Sequence, residues 1–159
     1  VITLPPQAPQ ESTSIRQALL SAEYPVDFTS TGKARLKDGV FEESVAPGST
    51  TRIWLGKERA FGDLNGDGAE DAAVMLVVDS GGSGTFTYLA PVINEKGMAK
   101  PLDAVLLGDR IKLKSISIQS GSIVVTMLTR KPDEPMSAEP KVEVTQRFEL
   151  QGDQLVEAK

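Results

Sequence analysis

The chain has 159 residues, 40% of them hydrophobic, and a formal net charge of -5, enough to bury one proper core in a single domain. The acidic balance argues against a nucleic-acid footprint or attraction to an anionic membrane surface and favours cations as ligands. With neither Cys nor His, disulfides, thiol nucleophiles, Cys-based zinc sites and the commonest general base are all excluded.

Residues 1–13 are Pro-rich and polar, the composition of an extended tether, and 14–159 are predicted to form one β-rich domain. Ser14-Ile15-Arg16-Gln17 reads as a capping box. Ile15, Ala18, Leu19 and Ala22 continue at helical spacing, predicting a short amphipathic helix up to Tyr24, where Pro25 forbids continuation. From Ala34 to Ala46 the turn Lys37-Asp38-Gly39 between strand-like pieces predicts a hairpin with Glu42-Glu43 on an exposed edge. Thr51 to Leu55 continues the extended pattern and places Trp54 in the core.

The run Ala72 to Val78 is apolar without alternation, which predicts a central strand covered on both faces. Its hairpin partner is Thr85 to Ile93, across the Gly-rich turn, with Pro91 marking an edge or a bulge. Ala104 to Leu107, Ile111 to Ile118 and Ser122 to Thr129 follow as strands. The apolar phase slips between Leu113 and Ile116, which predicts a bulge there. After a Pro-rich surface loop from Lys131 to Pro140, Val142, Val144, Phe148 and Leu150 share one face of a final strand. The predicted fold is mainly β: an antiparallel sheet as a sandwich, a partly open barrel or a curved sheet, with one short N-terminal helix.

The most specific chemistry lies in Asp63-Leu64-Asn65-Gly66-Asp67-Gly68-Ala69-Glu70-Asp71. Oxygen-bearing side chains recur at alternate positions around a glycine and stop at the apolar run. Asp63, Asn65 and Asp67 match positions one, three and five of a calcium loop, Gly68 the turn at six, the Ala69 carbonyl position seven and Asp71 position nine. Position twelve, a bidentate Glu in an EF-hand, is Val74, and the β-branched run that follows predicts a strand in place of an exiting helix. The expected ligands of a Ca2+ ion are therefore Asp63, Asn65, Asp67, Ala69 and Asp71, in a loop between two strands.

This DxNxDGxxD stretch leading into an apolar strand resembles the calcium loops of FG-GAP and related β-propeller repeats. The resemblance spans about a dozen residues, and the chain holds no second copy of the loop, so it informs the site and not the fold. The longer pattern of Phe61-Gly62, the acidic loop, Ser80 to Phe86, and Leu107-Gly108-Asp109-Arg110 resembles an uncharacterised family of exported bacterial proteins. That resemblance implies a periplasmic, secreted or cell-surface location, and the composition of the N-terminal stretch fits a membrane tether such as that of a lipoprotein.

Other motifs carry less. Ser80-Gly81-Gly82-Ser83-Gly84-Thr85 lacks the Gly-Lys-Ser/Thr ending of a phosphate loop and precedes a strand, and Ser83 has no His as its base. Arg110, Lys112 and Lys114 fit a solvated sheet face, and the spacing of Asp103 and Asp109 does not single out a glycosidase pair. The sequence thus leads to the expectation of a calcium-stabilised extracytoplasmic binding or accessory module without catalytic residues, with a protein or cell-envelope partner. A calcium-dependent hydrolase of an envelope polymer is the alternative.

Overall fold

The computed structural model describes residues 15–26, 29–80, 84–135 and 137–158, the side chains of 45 and 46 excepted. The predicted tether (1–13), Ser14 and residues 81–83 of the Gly-rich turn lie outside these. Among the described residues are twelve strands: β1 (Glu23–Pro25), β2 (Lys33–Arg35), β3 (Val40–Ala46), β4 (Ser49–Gly62), β5 (Asp71–Asp79), β6 (Phe86–Glu95), β7 (Met98–Pro101), β8 (Val105–Asp109), β9 (Lys112–Gln119), β10 (Ser122–Thr129), β11 (Val142–Gln151) and β12 (Gln154–Ala158). A six-stranded sheet runs β3-β4-β5-β6-β7 with β8 also on β6. A four-stranded sheet runs β12-β11-β10-β9, and β1 pairs only with β2. All pairings are antiparallel, and no sheet closes into a barrel.

Strand β5 organises the interior, as its unbroken apolar run predicts. Ala72, Val74, Leu76 and Val78 point to one face, against Ile15, Leu19, Tyr24, Val26, Ala34 and Leu36 of the N-terminal segment. Ala73 and Met75 point to the other, against Ile123, Val125 and Phe148 of the four-stranded sheet. Each fully buried Val, Leu or Met of the run contributes about 1.5–3 kcal/mol relative to exposure, and period-two alternation sends the side chains to two separate clusters.

The β5–β6 hairpin forms in the expected place, with Ala72 opposite Val92 and Val78 opposite Phe86. Pro91 is not at an edge, because β6 has neighbours on both sides. It sits where those neighbours change, between β8 on Phe86 to Leu89 and β7 on Val92 to Glu95. Its carbonyl accepts the Leu102 N–H at 2.9 Å, and its missing N–H falls in the break of the ladder. The predicted bulge is also present: Thr126 faces Ser115 and Met127 faces Leu113, leaving Lys114 unpaired in the ladder.

Four expectations need correction. The helix is a single turn at 15–18. Tyr24 enters β1 instead, where its hydroxyl donates to the Leu19 carbonyl at 2.9 Å, and burial of Ala22, Tyr24 and Val26 outweighs helical spacing. The Lys37-Asp38-Gly39-Val40 turn is tight, with positive φ at Asp38 and Gly39. Its two arms nevertheless separate after the one bridge Lys37↔Val40, β2 joining β1 and β3 joining β4. Trp54 is half-buried, while its neighbours Ile53 and Leu55 occupy the core. Finally, β11 shows the expected alternation but is not the last strand, since it turns back through Gly152 into β12.

Candidate metal centre

The acidic loop connects β4 to β5 at residues 63–70. Its alternating pattern folds locally through side-chain-to-backbone bonds. Asp63 Oδ1 accepts the Asn65 N–H at 3.2 Å, Asn65 Oδ1 accepts the Asp67 N–H at 3.3 Å and Asp67 Oδ1 accepts the Ala69 N–H at 2.9 Å. Three such turns in succession curl the backbone around the acidic side chains. Gly66 and Gly68 both have positive φ, at 79° and 84°, a conformation glycine adopts without a Cβ penalty.

Asp63 draws the loop inward. Besides Asn65, its carboxylate accepts the N–H of Gly66 at 2.8 Å and of Gly68 at 2.9 Å. The Gly68 bond above all, with those of Gly66, Asn65 and Asp67, holds the carboxyl below its usual range against a smaller opposing effect of desolvation. Asp71 is fixed differently. Its side chain is buried, with Oδ2 accepting the Leu64 N–H at 2.7 Å and Oδ1 the Asn94 N–H at 2.8 Å. Burial pushes its carboxyl up, and the charges of Asp67 and Asp63 push the same way, against the two backbone bonds.

Asp63, Asp67 and Asp71 each bring a carboxylate oxygen within 4.8 Å of the others. Asp71 is buried, Asp63 half-buried and Asp67 exposed, so the group has an anchored base and an open side. Three carboxylates at this spacing repel one another, and a bound cation relieves that repulsion. The group could hold a metal ion. Asn65 and Ala69 lie in the same curl, Asn65 exposed and Ala69 half-exposed. Val74, at the position an EF-hand gives to a bidentate Glu, is fully buried on β5.

Two supports of the loop are contacts that the sequence does not reveal. Arg16 places its guanidinium 3.9 Å from the centre of the Phe61 ring and 3.3 Å from the Glu70 carboxylate, linking the N-terminal turn to both ends of the loop. Gly62 lets β4 approach β9 so closely that a Cβ there would lie 2.8 Å from Ile118 Cγ2. Several polar side chains outside the loop bond within the scaffold. Asp109 accepts the Thr85 N–H at 2.8 Å, Lys114 pairs with Glu143, and Arg130 donates to the carbonyls of Arg110 and Ala138.

Comparison with protein-family models, with curated proteins and with solved structures gives no match. Fold and loop therefore define the class: a mainly β protein of open antiparallel sheets with an acidic group able to hold a metal ion.

Proposed function

We propose that the loop binds calcium and that the chain is a calcium-stabilised, extracytoplasmic binding or accessory module of the cell envelope. The observation that carries this reading is the convergence of Asp63, Asp67 and Asp71 within 4.8 Å, on a loop whose fold and spacing suit a hard cation. Asn65 Oδ1, the Ala69 carbonyl and water complete a set of six to eight oxygens, the number calcium takes. A lone exposed loop of this kind belongs with extracellular modules of about 10⁻⁴–10⁻³ M affinity, which suits the calcium-rich exterior of a cell and is the support for an exported location.

The role assigned to the ion is structural. It ties the β4–β5 connection to β6 through Asp71 and Asn94, and neither His nor Cys is present to supply a base or thiol. Native mass spectrometry at matched calcium and magnesium concentrations tests the metal: one calcium adduct per chain is expected, with magnesium held far more weakly because it demands rigid octahedral geometry. A screen against envelope glycans, peptides and phosphoesters tests the enzymatic alternative. Turnover abolished by one cavity carboxylate, but not by disruption of the loop, would favour a hydrolase.

A further inference from the structure

Trp54 is the chain's only tryptophan, and the fold leaves it half-buried. In register it stands opposite Val77 of β5 and Val40 of β3, the latter 39% exposed. Met75, two residues before Val77 and therefore on the same face, is buried under the four-stranded sheet. That sheet thus covers the face fully at Met75 and only in part at Trp54 and Val77, and Val40 stays exposed. A large aromatic left half-buried beside an exposed valine keeps part of its apolar surface available to a ligand.

A cavity of about 690 Å³ opens here, with Asp38, Val40, Glu42, Arg52, Trp54 and Arg59 in its wall, a size suited to a small ligand. Glu42 and Arg52 face each other across β3 and β4, and the Arg52 Nε and Nη2 atoms both lie 2.9 Å from Glu42 Oε1. The wall therefore holds two carboxylates against two guanidiniums, a balance that selects neither an anion nor a cation. It offers instead the flat indole beside the apolar side chains of Leu20, Val40 and Leu55, bordered by paired donors and acceptors. A ligand that matches has a face of C–H groups and a rim of hydroxyls, which describes a sugar ring.

We propose that the Trp54 groove binds a neutral oligosaccharide, one ring stacked on the indole and its hydroxyls bonded to Glu42 and Arg52. The proposal deepens the binding-module reading by naming a ligand class, and it stands on different residues from the calcium loop. Titration of calcium-loaded protein with cellohexaose, chitohexaose and maltohexaose, followed by the emission of the single tryptophan and by amide NMR shifts, tests it. At least one sugar should give a saturable emission change, with amide shifts centred on residues 38–42 and 52–55. Trp54→Ala should weaken binding by about tenfold or more, and Trp54→Phe should retain part of the affinity. No saturable response to any of the three sugars, shifts centred elsewhere, or undiminished binding by Trp54→Ala would overturn the proposal. The wild-type shift map decides if a variant fails to fold. Calcium binding is measured separately by calorimetry, so failure of either reading is seen without the other.

Discussion

Asp71 reaches across from β5 to accept the backbone N–H of Asn94 at 2.8 Å, extending the β5–β6 ladder beyond its last registered pair, Ala72↔Val92. Its other oxygen takes the Leu64 N–H at 2.7 Å. One buried carboxylate therefore joins the start of the acidic loop to the central hairpin. Asp71→Asn leaves a single acceptor for two N–H groups and should destabilise the protein by about 1–3 kcal/mol in urea unfolding. Asp67→Ala, at an exposed position, should unfold within about 0.5 kcal/mol of wild type when both are calcium-free.

Calcium should raise thermal stability, because an ion that binds only the folded loop adds RT ln(1 + [L]/Kd), about 2.7 kcal/mol at a hundredfold above Kd. Scanning calorimetry of chelator-treated protein, with and without added calcium, should show a higher Tm with the ion. An unchanged Tm after verified ion removal would contradict a structural role.

The loop should also couple calcium to protons. Burial raises the Asp71 carboxyl above its ordinary 3.8, so in the ion-free fold it keeps its proton more tightly than in the unfolded chain. For this group alone, the ion-free fold gains stability as pH falls through the raised pKa toward 3.8. Asp63 acts in the opposite sense: its contribution is present above 3.8 and is lost as pH falls through its lowered value. Since calcium needs Asp71 ionised, its affinity should drop, with proton release on binding, as pH falls through the raised Asp71 value toward 3.8. Calorimetry in buffers of different ionisation enthalpy measures both effects.

How far this arrangement can be read from sequence depends on where the information sits. The apolar run through Val74 announces a two-faced central strand, and alternation through Asp63, Asn65 and Asp67 announces the loop, because local spacing governs both. The phase slip near Lys114 likewise announces its bulge. Arg16, Gly62 and Asn94 act on the loop only through chain folded back from a distance, so no local pattern marks them. Tyr24 and Trp54 mislead for the same reason. Tertiary burial draws Tyr24 into a strand, and the limited extent of the covering sheet leaves Trp54 half-buried.

Close approach of the two sheets beside the loop gives a further expectation. Gly62→Ala should cost about 1–3 kcal/mol through overpacking against Ile118. Adding Ile118→Ala, which removes the Cγ2 methyl, should recover part of that loss in a double-mutant cycle. Strict additivity would show that the contact is not the cause.

Burial also sets the behaviour of Tyr24. It pushes the phenol well above its ordinary range, outweighing the lowering effect of Arg59, and the hydroxyl donates to the Leu19 carbonyl. Tyr24→Phe should cost about 1 kcal/mol in denaturant unfolding, with the β1–β2 region unchanged in the NMR spectrum.

The central claim is that Asp63, Asn65, Asp67, the Ala69 carbonyl and Asp71 bind one calcium ion, and isothermal titration of chelator-treated wild type beside Asp67→Ala tests it most directly. One site with measurable heat in the wild type, abolished in a folded Asp67→Ala, is the predicted result. No binding heat in the wild type across buffers, or an unchanged isotherm in the variant, would contradict it.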